Sequence, residues 1–434
     1  MIVFYNILMF VGVVLGIPLI IPSVLTSEKR RKTVLPRLGL TVFPPSLGQY
    51  RLRKPEKKPI WVHALSVGEV LSAVPLVEKL KAYFSERDIF FSVSTKTGFE
   101  IASRRLTEKV NAIIFFPYDL VFSVRHVATK VDPAVVVIVE SDIWPNFLFE
   151  MKRRQVPVAL VNARLSEKSF SGYRRVSFFM GPLLSSLAKI CTQTNDDSRR
   201  FQYLGVPAGK IVRTGSLKFD QQRDPISKAE LVKLRRSMHI PSNRSILLAG
   251  STHKGEETIL LDVFSKLKSE HGDLLLIIAP RNPDRAESVC RMFGTTGLLS
   301  VLLDDLSGLK RETRVDVIVV DTIGILGKLY ALGDIAYVGG SLVDAGGQNP
   351  LEPAAMSKPV LFGPDMSDFE QISHMLVESG GAVRVQDAES LYKNVAVLLR
   401  DHERRKNMGK RTFAVFSANT GAVQKTVEVI TGII

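Results

Sequence analysis

Cysteine is almost missing. The chain holds two, Cys191 and Cys290, far apart and each in or beside an apolar run. That excludes a disulfide framework or a cysteine metal site and reads as reduced core thiols of a reducing compartment. No low-complexity tract or short repeat stands out, so a solenoid is excluded. Zinc-finger spacing and stacking-aromatic motifs are lacking too, and with them the marks of a specific nucleic-acid module. Acidic residues are outnumbered, 43 against 58 Lys and Arg, for a formal net charge of +15. Such a balance favours anionic partners: an anionic lipid surface or phosphorylated substrates.

What is present begins with apolar length. Residues 1–25 are broken only by Asn6, Ser23, glycines and two prolines, long enough to cross a hydrocarbon core of about 30 Å. A cleaved signal peptide fits less well, because no basic residue precedes the run and no small-x-small site ends it. Lys29-Arg30-Arg31-Lys32 follows, and Arg37, Arg51, Arg53, Lys54, Lys57 and Lys58 extend the basic segment. Basic clusters stay on the cytoplasmic side, so the sequence predicts one N-terminal anchor at the inner membrane with the rest cytoplasmic. Pro18 and Pro22 also permit a shallow, non-spanning anchor.

From residue 60, short apolar β-rich runs alternate with amphipathic stretches, the pattern of βαβ units and parallel sheets. One series occupies 60–65, 89–95, 112–117, 134–140, 157–163 and 189–194. A second occupies 245–250, 273–280, 315–321, 334–340, 359–363 and 381–385. The polar stretch 217–225 between them marks a junction, and the tail from Ala388 reads as two helices. The expected domains are an anchor (1–27), an N-terminal Rossmann-like domain (28–218) and a C-terminal one (219–434). Ligands of such domains bind beyond the carboxyl ends of the strands, and two facing domains would share one cleft.

The loops at those ends carry the candidate chemistry. Ser66-Val67-Gly68-Glu69 is a capping box by its spacing, while Glu69 is also placed to act as a general base. Glu140 and Arg164 each end an apolar strand, either to reach solvent or to pair across the site. In the second domain, Ser251 and Thr252 open a glycine-containing turn before a helix, a setting for a phosphate. Pro280-Arg281 puts a guanidinium at a strand end, suited to a phosphate or carboxylate. Gly339-Gly340-Ser341 and Gly346-Gly347 precede Gln348 and Asn349-Pro350-Leu351-Glu352. Asn349 is a natural N-cap and Pro350 a natural first helical residue. Glu352 either completes a capping box or meets a ribose diol.

In order along the chain, HALSVGEV, PYD (117–119), VESDIWPN, VNARLSEKS, GSLKFD (215–220), GSTHKGEE (250–257), PRNPDR, YVGGSL, GGQNPLEP and VLFGP resemble the signatures of the 3-deoxy-D-manno-octulosonic acid (Kdo) transferases of lipid A biosynthesis. The resemblance runs from the apolar N-terminus to about residue 420. It implies a GT-B glycosyltransferase of two Rossmann-like α/β domains. The implied donor is CMP-Kdo, the acceptor the 6′-hydroxyl of a tetraacylated lipid A precursor in the membrane, and the outcome inversion at the anomeric carbon. Several Kdo residues could be added in sequence, with no cofactor, no metal and no specific nucleic acid as partner.

By the same resemblance Glu69 is the base, while Glu140, Arg164 and Lys218 are assigned to the acceptor side of the cleft by their location in the first domain. Pro280, Arg281, Ile323, Gly324, Ile325, Leu326 and Asn349 to Glu352 contact the nucleotide. Two positions depart from the family: Ile323-Gly324-Ile325-Leu326 stands where M-G-E-L is common, and Gln348 where His is common. The competing readings are another GT-B enzyme using a UDP-sugar, and a membrane-tethered binding protein without catalysis.

Overall fold

The computed structural model describes residues 2–41, 56–140, 142–220, 226–310 and 313–434. The chain forms two compact α/β units, Met1–Gln222 together with Asn419–Ile434, and Arg223–Ala418. Arg51, Arg53, Lys54, the junction residues 221–225 and the side chains of residues 29–31 lie outside the described set.

The first unit holds seven strands: β1 (Ile60–Ala64), β2 (Ile89–Val93), β3 (Ala112–Phe115), β4 (Val135–Val139), β5 (Val158–Ala163), β6 (Lys189–Thr192) and β7 (Ile211–Arg213). They pair in parallel in the order β3-β2-β1-β4-β5-β6-β7. β1 and β4 are buried at every position, as expected of central strands covered by helices on both faces. Alternation divides the core. Trp61 joins Phe90, Phe116 and Phe147 on one face, while Ile60 and Val62 join Phe91 and Val77 on the other. The order of connection reverses between β1 and β4, so the crevice at their carboxyl ends is the place for a ligand.

The second unit repeats the plan with β8 (Ile246–Thr252), β9 (Leu275–Pro280), β10 (Ser300–Leu302), β11 (Val317–Val319), β12 (Ile335–Val338), β13 (Val360–Phe362) and β14 (Ala382–Arg384). These run parallel in the order β10-β11-β9-β8-β12-β13-β14, with the reversal between β8 and β12. β7 and β10 answer no run read from the sequence. Each is three residues at the edge of a sheet, too short to show as a period.

The tail departs from the expected pair of helices. Three are formed, Ala388–Arg400, His402–Ala418 and Ala422–Thr431, with breaks at the extended Asp401 and at Gly421, whose φ of 91° suits glycine. The last helix, grouped with the second domain by sequence, belongs to the first unit. Ala422, Val423, Val427 and Ile430 enter the core layer of Val70 and Val77. Asp220 accepts from the N–H groups of Gly421 and Val423 at 2.7 and 2.6 Å, tying that helix's start to the first unit.

The N-terminal helix covers Ile2–Thr26 and includes Pro18 and Pro22. Among the described residues no helix is long and apolar enough to cross a membrane. The spanning anchor expected over 1–27 is therefore not supported. The first turns of the helix are instead docked by polar groups. Tyr5 donates to Asp119 at 2.9 Å, Asn6 accepts from Asn146 at 2.7 Å, and the Tyr5 ring stacks on Phe179.

Candidate functional site

In the first unit the sequence of the β1 turn explains its geometry. Ser66 caps the helix Val67–Tyr83 by accepting from the Glu69 N–H, and the Glu69 carboxylate folds back to accept from the Leu65 N–H at 2.6 Å. The Ser66 hydroxyl donates to its other oxygen at 3.2 Å. The Ser66 cap is thus formed, with the returning bond made to the Leu65 N–H in place of the Ser66 N–H that a capping box would use, and it coexists with a perturbed acid. Burial pushes the Glu69 carboxyl up to about 7, with the negative charges of Glu140 and Asp142 adding to the rise and the two hydrogen bonds opposing it. A carboxyl titrating there is partly ionised at neutral pH and still basic enough to take a proton.

Glu140 ends β4 with a positive φ of 64°. Its carboxyl is raised, first by burial, against the charges of Lys218 and Arg164, which stabilise the anion. The expected base Glu69 and the three expected acceptor-side residues, Glu140, Arg164 and Lys218, all belong to loops of one unit. Asn162, missed by sequence reading, organises them: it is fully buried, donates to Glu140 at 3.4 Å and accepts from the Leu217 N–H at 3.0 Å. That last bond brings the Lys218 turn to the end of β5. An asparagine in an apolar strand just before Arg164 was the available signal.

His63 was missed as well. It lies on β1, fully buried, with Nδ1 3.0 Å from both the carbonyl and the hydroxyl of Ser92 and Nε2 2.9 Å from Asp142.

In the second unit Ser251 and Thr252 end β8 and Pro280 ends β9, while Arg281, Ile323 to Leu326 and Asn349 to Glu352 lie beyond the carboxyl ends of β9, β11 and β12 in the same parallel sheet. Their roles divide. The Thr252 hydroxyl points inward and donates to Glu257 at 3.1 Å. Ser251 holds a φ of 57°, and the β8–β9 register shifts beside it. A Cβ on Gly339 would fall 2.5 Å from the Ser251 carbonyl, so only glycine lets β12 pass this bulge. Arg281 is exposed, whereas Arg285 makes a two-pronged pair with the buried Glu257 at 2.9 and 3.0 Å.

Ile323 is 77% exposed at the β11 loop, an apolar side chain offered outward, and Gly324 has a φ of 96°. Ile325 and Leu326 pack inward against the core. The short helix begins one residue later than expected, at Leu351 with Pro350 in the cap position, and the Asn349 side-chain oxygen accepts from the Leu351 N–H at 3.0 Å. Pro350 and Glu352 sit in the turn and short helix that follow. Gln348 approaches the His253 ring nitrogen at 3.4 Å.

The turn Gly339-Gly340-Ser341 is filled from within. Glu256, fully buried, accepts from the N–H groups of His253, Gly340, Ser341 and Leu342 and from the Tyr337 hydroxyl, all at 2.7–3.0 Å. Those amides are thus already saturated by a carboxylate of the chain.

Comparisons with known proteins bear on the family and the fold. Residues 42–221 match the family described as 3-Deoxy-D-manno-octulosonic-acid transferase (kdotransferase). A 3-deoxy-D-manno-octulosonic acid transferase of Haemophilus influenzae is 33% identical over 377 residues, 87% of each chain. One from Bordetella pertussis is 28% identical over 389 residues, 88% of each. Among solved structures, the UDP-GlcNAc 2-epimerase of Neisseria meningitidis aligns with a TM-score of 0.58 at 14% identity, over 86% of this chain and all of that one. A glycosyltransferase from Rickettsia africae aligns with a TM-score of 0.53 at 16% identity, over 87% and 99%. At those identities the two structures speak for the fold alone: two parallel-sheet α/β units of the kind found in GT-B glycosyltransferases. With the aligned relatives it follows that the chain belongs to the 3-deoxy-D-manno-octulosonic acid transferase family, glycosyltransferases of lipopolysaccharide biosynthesis.

Proposed function

We propose that the protein transfers Kdo from CMP-Kdo to the 6′-hydroxyl of a tetraacylated lipid A precursor, inverting the anomeric carbon, with Glu69 as general base. The observation that carries this reading is the Glu69 carboxyl, held by the Leu65 N–H and lifted to about 7 by burial at the β1–β4 crevice. Glu69 takes the hydroxyl proton as the acceptor oxygen bonds to the anomeric carbon. The bond from that carbon to the phosphate oxygen breaks, and CMP leaves with the electron pair. Arg281 meets the developing phosphate charge. Ile323 offers an apolar surface to the nucleotide, and the turn capped by Asn349 presents Glu352 to its ribose.

On this reading the reaction needs no metal, because the guanidinium supplies the positive charge. Lys218 and Arg164 oppose the rise that burial gives the Glu140 carboxyl on the acceptor side. The acceptor is taken from the cytoplasmic face of the inner membrane. Support for that comes from the net charge of +15 and from Val3, Phe4, Ile7, Leu8 and Phe10, which expose apolar side chains on the N-terminal helix.

The test is to incubate the protein with a CMP-Kdo generating system and tetraacylated lipid A precursor and take the mass spectrum of the lipid. A gain in whole Kdo units, absent for Glu69→Gln, is expected and counts the sugars added. No gain with intact donor and folded protein would overturn the assignment of substrates.

A further inference from the structure

The β1–β4 crevice contains a pair that the transfer chemistry above does not use. His63 lies on β1, one residue before the strand ends, with no exposed surface. Burying an imidazole is costly unless both nitrogens are bonded, and here both are. Nδ1 meets Ser92 on β2, whose hydroxyl also accepts from the Trp61 indole at 2.8 Å. Nε2 faces Asp142 Oδ2 at 2.9 Å, in the loop after β4. A carboxylate cannot donate, so in the ionised pair the Nε2–H points to Asp142. The Phe116 ring stacks on the imidazole, with ring centroids 3.8 Å apart and planes at 19°. One side chain therefore ties β1, β2 and the end of β3 to the acceptor-side loop.

We propose that Asp142, oriented by His63, is a positioning residue for Glu69: a fixed anionic neighbour that acts on the reaction through that base. The proposal rests on the reading of Glu69 as the base. Its physical content is the placement of charge. Two negative charges act on Glu69, that of Glu140 at the end of β4 and, less strongly, that of Asp142 in the loop beyond it, while the Leu65 N–H and the Ser66 hydroxyl bond its carboxylate. Glu140 answers to Lys218 and Arg164. Asp142 is felt by Arg37, by Tyr173 and by the buried Asp119 besides Glu69.

A like charge disfavours ionised Glu69 and so strengthens it as a proton acceptor. An aspartate on an untethered loop would swing toward solvent and lose that effect. The grip of His63 keeps it in place, with its side chain only 12% exposed.

The experiment is the pH profile of kcat and KM with CMP-Kdo and lipid A precursor, for the wild type and five variants. Asp142→Asn should move the acid limb of kcat down by about one pH unit and lower the plateau severalfold, with KM for the donor unchanged. Asp142→Glu, which keeps the charge, should restore the limb. His63→Leu should move the limb in the same direction, and His63→Gln, which keeps a donor to Asp142, should move it less. An unmoved limb in Asp142→Asn overturns the proposal and leaves Asp142 as loop architecture. Should that variant fail to fold, equal limbs for His63→Leu and the wild type overturn it instead. Glu69→Gln separates the two ideas, since turnover retained there sinks the base assignment, whatever Asp142 does.

Discussion

The carboxylate of Glu256 accepts the backbone N–H of Gly340 at 2.7 Å, joining the start of one helix to a glycine turn 84 residues away. The same side chain holds three further amides and a tyrosine hydroxyl. Glycines make that turn cheap to deform, so its shape depends on the buried acid. The segment that follows hangs from it: the N–H groups of Gly347 and Gln348 donate to the carbonyls of Gly340 and Gly339.

Glu256→Gln should therefore be severe despite its small change in size. An amide would turn N–H groups toward N–H groups, leaving buried donors unsatisfied at a cost of about 2–4 kcal/mol. The melting temperature should fall by several degrees, and CMP should bind more weakly as the Asn349 turn loses its support. A melt indistinguishable from wild type would show that the turn holds its shape without the acid.

Glu69 couples activity to stability with opposite signs. Its folded value of about 7 stands above the ordinary 4.5. Between those values the unfolded chain releases the proton first, so raising the pH through this window destabilises the fold. Glu69→Gln should abolish turnover yet leave CMP binding intact. It should also melt higher than wild type at pH 8, by about 1–3 kcal/mol in stability, with the difference gone near pH 4. Comparing melts of the two proteins at those pH values checks the sign. Equal melts at pH 8 would mean the carboxyl is not strained by its burial.

How far the sequence carries is clear from particular residues. The runs around Val135–Val139 and Leu275–Pro280 announce buried parallel strands because both faces are apolar. The β1 turn is legible through Ser66 and Glu69, whose spacing sets a local hydrogen bond. Glu256 and Glu257 are a different case. They stand side by side after a glycine, and only the tertiary fold sends one into a backbone turn and the other to Arg285. His63 hides for a similar reason: a lone histidine in an apolar strand reads as core, and its partner lies 79 residues away. Long-range pairings of this kind leave no period in the chain.

The two arginines that follow β9 should separate cleanly. Arg281 is exposed at the strand end, and Arg281→Ala should weaken CMP binding about tenfold or more while leaving the melt unchanged. Arg285→Ala should do the reverse. It leaves the buried Glu257 the Thr252 hydroxyl but takes away its cationic partner, at a cost of about 3 kcal/mol. Titration of CMP and thermal melts on both variants make the comparison. A loss of affinity confined to Arg285→Ala would exchange the roles assigned here.

The N-terminal helix is docked, among the described residues, by Tyr5 and Asn6. Asp119 accepts from Tyr5 at 2.9 Å and from the Asn146 and Phe147 N–H groups at 3.0 and 2.9 Å, so it caps the helix Pro145–Arg153 from a distance while holding the N-terminal helix. Tyr5→Phe removes one of these bonds and leaves the cap, at about 1 kcal/mol. Asp119→Ala removes all three and should cost about 2–3 kcal/mol. Limited proteolysis should then cut between residues 27 and 37 severalfold faster in Tyr5→Phe, with the global melt almost unchanged. In Asp119→Ala both should shift. Were Tyr5→Phe cut no faster than wild type, the stacking of Tyr5 on Phe179 and the Asn6–Asn146 bond would be enough to seat the helix, and Asp119 would serve the cap alone.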